Sequence, residues 1–198
     1  MKRAVKYTPA LLLALASLPA LAHPGHAALA DGIGAAFGAG LRHPLTGIDH
    51  LLAMLAAGIW SARARQRAYV GVPHRSRPGD LLLPVVFLVM MGLGAAGGMA
   101  GLRLPLLEGG IALTVALTGV LVAASVRLPA WGAGLVMGGF ALWHGNAHGL
   151  ELPQAASALG FLLASAALLL SGRALARLPL ARPLGGAIAA AGVALLAF

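Results

Sequence analysis

Six apolar runs leave this chain little freedom in what it can fold into. They fall at about 44–62, 81–101, 105–125, 130–148, 154–172 and 183–198. Most approach the ~20 residues a helix needs to cross the hydrocarbon core of a bilayer. Backbone polar groups in lipid must find partners within the protein, which restricts spanning structures to helices and closed barrels. No ten-residue alternation of apolar and polar positions, as barrel strands require, is visible. The chain is 60% hydrophobic and 10% charged, against about 25% charged in soluble domains. Too few polar groups remain to cover a water-facing surface. The sequence predicts an all-α membrane protein, a compact bundle of about six transmembrane helices.

The N-terminus reads as a secretory signal over residues 1–22. Lys2, Arg3 and Lys6 precede an apolar stretch, and Ala20-Leu21-Ala22 supplies a small-residue cleavage site. Residues 23–198 then form a single transmembrane domain, beginning at His23 outside the cytoplasm. With that start, Arg63, Arg65, Arg67, Arg75, Arg77, Arg127, Arg173, Arg177 and Arg182 all fall in inner segments, and only Arg42 and Arg103 in outer ones. Inner loops are the ones enriched in Lys and Arg. The sequence thus predicts a multi-pass protein of the bacterial inner membrane with both mature termini in the periplasm. The formal net charge of +9 belongs to this topology and not to nucleic-acid binding, since no basic face with interleaved aromatics is present. Trp60 and Trp131 fall near the expected inner boundary, where indole rings are favoured.

Residues 31–42 are apolar but too short to span. Pro44 biases His43 away from helical geometry, so the first span is expected to break at His43-Pro44, with the preceding stretch forming a half-helix at the outer face. Broken helices expose backbone groups that transporters use at ion sites. Gly34/Gly38, Gly94/Gly98, Gly97/Gly101 and Gly134/Gly138 are spaced for close helix approach.

Ionisable residues within spans are costly and mark function by default. Here nearly all share one depth. The first span opens with His43, Asp49 and His50; the fourth closes with His144, Asn146 and His148, followed by Glu151; Glu108 starts the third. Met137, His144, His148 and Glu151 are offset by 0, 7, 11 and 14 residues, which places them on one helix face. His43, His50 and Met54 repeat the 0, 7, 11 pattern. Two helices can therefore face each other with imidazoles converging. The residues expected to hold metal are His43, Asp49, His50, His144 and His148. His23, His26, Met54, Glu108, Met137, Asn146 and Glu151 are candidates for metal capture or for supporting the ligands from behind. The alternatives are ordinary: a histidine as an interhelical hydrogen-bond partner, Asp49 as a helix cap or a partner of Arg42, the methionines as packing. His74, beside Arg75 in an inner loop, is read as solvated. The chain has no cysteine, so disulfides and thiolate ligands are excluded. Imidazole with carboxylate suits nickel, cobalt, zinc or copper(II), and suits magnesium or calcium poorly.

The run His43-Pro44-x-x-Gly47-x-Asp49-His50-Leu51-Leu52-Ala53-Met54, followed by Gly58-x-Trp60, resembles the signature of the HupE/UreJ family. The segment His144-Gly145-Asn146-x-His148-Gly149-x-Glu151, the signal peptide, the histidine start of the mature chain and the six spans are similar to that family as well. The resemblance covers essentially the whole chain. It implies a nickel permease, in some members a cobalt permease, associated with hydrogenase or urease maturation, with Ni2+ (or Co2+) as transported substrate and no permanently bound cofactor. It also implies metal roles for His43, Asp49, His50, His144 and His148, then for His23, His26 and Glu151.

Two other classes of function fit parts of this pattern. An intramembrane zinc-dependent hydrolase would use three such ligands and an open position to activate water, but neither H-E-x-x-H nor G-x-S-x-G occurs. A metal-binding accessory or sensor protein would hold metal without moving it. For the N-terminus the expectation is direct: sequencing of the membrane-inserted protein finds His23 as the first residue, and an intact Met1 or Lys2 refutes the cleavage.

Overall fold

The computed structural model describes residues 32–64 and 81–197. The expected leader, His23, His26 and the segment bearing His74 lie outside the described residues. Among the described residues the chain is all helical: α1 (Ile33–Thr46), α2 (Ile48–Arg63), α3 (Leu82–Met99), α4 (Leu107–Ala123), α5 (Ala130–Glu151), α6 (Ala155–Leu175) and α7 (Ala181–Leu195). By length and composition α3 and α6 can each cross a membrane, and the bent pair α1–α2 qualifies as a third, broken span. Helices α4 and α7 are apolar but shorter.

The half-helix before the first span is present, but its break lies at Gly47 and not at His43-Pro44. Helix α1 runs through Pro44 to Thr46, and α2 departs at 76°. Pro44 sits in the last turn of α1 and is buried; lacking an N–H, it costs the helix the one bond that would run back to the Gly40 carbonyl. The bias that Pro44 places on His43 is overridden by packing, because Ala36, Gly40 and Pro44 form one buried face. Gly47, with an extended ψ of 113°, is the residue that ends α1 and opens α2. The His43 carbonyl accepts the Gly47 N–H at 3.1 Å, and the Thr46 hydroxyl also donates to it at 3.1 Å, so the turn that closes α1 is held twice.

Glycine contacts hold the bundle together. Without a hydrophobic drive between helices in lipid, association depends on close backbone approach and interhelical hydrogen bonds. On α3 and α5 the contacts are reciprocal: a Cβ on Gly94 or Gly98 would strike the backbone of Leu142 and Asn146, and one on Gly145 or Gly149 the backbone of Met91 and Ala95. Gly40 of α1 meets Gly160 of α6, Gly58 of α2 meets Gly172 of α6, and Gly119, Gly185 and Gly192 pack α4 on α7. Of the four glycine pairs singled out by spacing, only Gly94/Gly98 is a backbone contact. Gly34, Gly101 and Gly134 face open space, and Gly97 and Gly138 meet only side chains.

Two helices each have a stretch wrapped on all sides. Residues 56–61 of α2 and 144–149 of α5 are buried without interruption, more than a full turn in each case. Buried all round, such stretches have no outward polar face to show in their sequence. Helix α2 touches α1, α3, α4, α6 and α7. Its far end is tied down by Trp60, whose indole N–H donates to the Val126 carbonyl at 3.0 Å. Trp60 is completely buried, so it is a core residue and not an interfacial one, whereas Trp131 is exposed. The same end carries the contacts from Arg173 to Ser61 and from Arg182 to Ser125. The histidines of α2 and α5 gather at the opposite end.

These contacts separate two kinds of glycine. Gly172→Ala, which drives a Cβ into the backbone of α2, should lower stability by roughly 1–3 kcal/mol. Gly134→Ala, which meets nothing, should be neutral or stabilise by up to about 1 kcal/mol. Thermal unfolding in detergent measures both.

Candidate metal centre

Four imidazoles from three helices meet at one end of the bundle. His43 comes from the last turn of α1, His50 from the first turn of α2, and His144 and His148 from the last two turns of α5. The bend at Gly47 lets residues 43 and 50 converge although they belong to different helices. Ring centroids lie 4.4 Å apart for His50 and His148, 5.0 Å for His43 and His148, 5.1 Å for His50 and His144, and 5.7 Å for His43 and His50. His50, His144 and His148 are 4%, 1% and 0% exposed, so these rings meet protein and not lipid or water.

Three of the four are arranged to share an ion. His43, His50 and His148 each offer one ligand atom, and those atoms lie within 4.8 Å of one another. Two nitrogens bound about 2.1 Å from one ion are at most about 4.2 Å apart, so small side-chain rotations suffice to close the set. His144 stands beside His50, outside this trio.

The carboxylates support the rings from outside. Asp49 Oδ1 accepts both the backbone N–H of His50 at 2.8 Å and its ring Nδ1–H at 2.9 Å. That contact fixes the tautomer of His50 and leaves the lone pair on Nε2, which is buried with no hydrogen-bond partner. A carboxylate behind a ligating histidine orients the ring and makes it a better donor to metal. Asp49 also sits in the first turn of α2, where negative charge meets the positive helix end. Gly47 leaves room here: a Cβ would crowd the pair, at 3.0 Å from Asp49 Oδ1 and 3.3 Å from His50 Nδ1. Glu151 Oε2 lies 2.6 Å from His43 Nε2. A carboxylate at the C-terminus of α5 opposes the helix dipole, and the contact with His43 offsets this.

His144 is held differently. Its Nε2 lies 2.7 Å from the Thr114 hydroxyl of α4, and its Nδ1 is buried without a hydrogen-bond partner. Both ring nitrogens of His148 are likewise unpartnered, and the ring stacks on Phe161 at 4.5 Å. Buried imidazole nitrogens without partners are rare in finished protein cores, and several facing one another are what a cation-binding cluster provides.

The other candidates divide. Asn146 points away from the histidines: its amide donates to the Leu102 carbonyl at 2.8 Å, and its oxygen accepts from the Leu104 N–H at 3.0 Å, pinning the α3–α4 connection. Met54 and Met137 are fully buried in the apolar core. Glu108 is exposed in the first turn of α4. Thr114 and Phe161 were not legible as site residues. Thr114 had a faint signal as a hydroxyl within an apolar span, and Phe161 had none, because stacking on His148 depends on how α6 crosses α5.

Compared with known proteins, the chain matches the HupE / UreJ protein family over residues 11–196. It is 40% identical over 195 residues to a protein described as Protein HupE from Rhizobium leguminosarum bv. viciae, covering 93% of this chain and 94% of that protein. No solved structure matches it.

The convergence is open to a direct test, made simple by the absence of native cysteine. Cysteines replacing His50 and His148 should be joined by a short thiol-reactive cross-linker or a bound soft metal, read as a mobility shift or by mass. Failure of the pair to react in the membrane-inserted protein would contradict the arrangement of α2 against α5.

Proposed function

Because this chain belongs to the HupE/UreJ family, a family of permease-type accessory proteins and not of enzymes, we propose that it imports Ni2+, and Co2+ as a second substrate, across the bacterial inner membrane. The uptake supplies hydrogenase or urease maturation. The observation that carries this reading is the buried cluster of His43, His50, His144 and His148, backed by Asp49 and Glu151. Imidazole with carboxylate and no thiolate is the donor set for borderline divalent ions.

In this reading α1 and α2 form one broken span and α3 to α7 supply five more, giving six with both ends of the domain outside. The histidine end faces the periplasm, and the end bearing Arg63, Arg127, Arg173, Arg177 and Arg182 faces the cytoplasm, as the distribution of positive charge favours. The expected leader delivers His23 and His26 to the same outer side, where they capture metal.

Each residue has a task that follows from its place. Hydrated cation arriving from outside first meets Glu151 and His43, the partly exposed members of the cluster. It then exchanges water for the nitrogens of His43, His50 and His148. Asp49 holds the His50 ring so that its free lone pair faces the ion. The cation is substrate and must leave again, so a site of neutral imidazoles that binds without a cage of charge suits release better than a thiolate site would. A membrane potential negative inside favours inward movement of a dication by about 4.6 kcal/mol per 100 mV, which drives uptake without a second motor. The chain contains no Walker-type phosphate loop.

Metal flux into proteoliposomes tests this. Ni2+ should accumulate under an inside-negative potential, ahead of Zn2+. Asp49→Ala or His50→Ala should abolish uptake at equal expression, and His74→Ala should leave it near normal. Equal loss at all three positions would sink the site assignment. Stoichiometric zinc surviving purification together with no flux would instead favour the hydrolase.

A further inference from the structure

Unlike His43 and His50, which Glu151 and Asp49 back, His144 has no carboxylate behind it. Its support is Thr114, a residue of a different helix, 2.7 Å from Nε2. The same hydroxyl oxygen also lies 2.7 Å from the Ile111 carbonyl, one turn back along α4. A hydroxyl has one proton and can give it to only one of these partners. If Thr114 donated to His144, its oxygen would face the Ile111 carbonyl with no proton between them. The imidazole proton would then sit on Nδ1, which is buried with no acceptor, and an unpaired buried N–H is costly. Donation from Thr114 to Ile111 removes both conflicts. His144 Nε2–H then donates to Thr114, and the lone pair is on Nδ1.

We infer that Thr114 is a positioning residue of the transport site: its hydroxyl holds His144 as the Nε2–H tautomer, so that Nδ1 is the nitrogen offered to the cation beside His50. Thr114 does for His144 what Asp49 does for His50, with a neutral oxygen in place of a charged one. The difference has a chemical consequence. A carboxylate strengthens the donor power of the ring it holds, whereas a hydroxyl fixes the tautomer with little added basicity. His144, outside the trio of His43, His50 and His148, becomes a weaker station next to a stronger one, as a cation passing inward requires. Thr118, one turn further along α4, donates to the Thr114 carbonyl at 2.7 Å and makes no such contact with the ring.

The test uses the full chain in lipid bilayers, labelled with 15N-histidine, without added metal. Protonated and unprotonated ring nitrogens give well-separated signals, and the His144 signals are identified by their loss in His144→Gln. The wild-type protein should show His144 protonated at Nε2; protonation at Nδ1 overturns the inference outright, with no variant needed. Thr114→Val, which keeps the shape and removes the hydroxyl, should mix or reverse the tautomer and lower Ni2+ uptake about tenfold or more, the size usual for losing such a support. Thr114→Ser should restore both, and Thr118→Val should leave the tautomer unchanged. A Thr114→Val protein with wild-type tautomer and uptake reduces Thr114 to packing. The uptake arm rests on the permease reading and the tautomer arm does not: a wild-type protein that shows the Nε2–H form but moves no nickel fails the permease and leaves the positioning intact.

Discussion

An imidazole cannot face hydrocarbon without losing its hydrogen bonds, and that constraint organises the histidine end of this bundle. Helix α5 carries two histidines and an asparagine within five residues, all buried. The structure resolves this by surrounding residues 144–149 of α5. Helix α3 closes one side through paired glycines, where Asn146 also finds the α3–α4 connection. Helix α4 meets His144 with Thr114, α6 covers His148 with Phe161, and the bend between α1 and α2 delivers His43 and His50 to the remaining side. Asn146 is the polar group of α5 with ordinary hydrogen bonds at both atoms. The imidazoles, by contrast, keep free nitrogens turned toward one another.

The glycines make this enclosure possible. Four polar rings occupy a small volume only if the helices bearing them approach closely, and close approach requires backbone against backbone. Gly145 and Gly149 flank Asn146 and His148 on α5 and let α3 approach from one side while the histidines occupy the other. Gly47 does the same on a smaller scale, leaving room for the Asp49–His50 pair at the bend. Small residues and site residues therefore alternate along the same short stretches, each kind permitting the other.

Much of the site could be read from spacing. The offsets of Met137, His144, His148 and Glu151 set a face of α5, and the shared depth of His43, His50, His144 and His148 anticipated their meeting. Spacing left Met54, Met137 and Asn146 among the supporting candidates, because a helical face as wide as this one holds both packing residues and the clustered histidines. It also misjudged the break, since the rule for a residue before proline describes a local preference that the buried face of Ala36, Gly40 and Pro44 outweighs. The burial of Trp60 was not legible for a related reason: hydropathy locates a residue along a span, and says nothing of whether it faces lipid or a neighbouring helix.

By itself the sequence determined that the chain is a helical membrane protein, since its apolar runs have no other way to satisfy their backbones in lipid. It singled out the candidates for chemistry, because charged and imidazole groups are rare enough in such runs to stand out. It determined the family, through a motif too long to arise by chance. The tertiary structure alone decided which nitrogens face one another, that Asp49 backs His50 while a hydroxyl backs His144, and which glycines are contacts. These are relations between helices distant in the chain. They depend on the crossing and rotation of each helix about its axis, which the 3.6-residue period leaves undetermined until the helices pack.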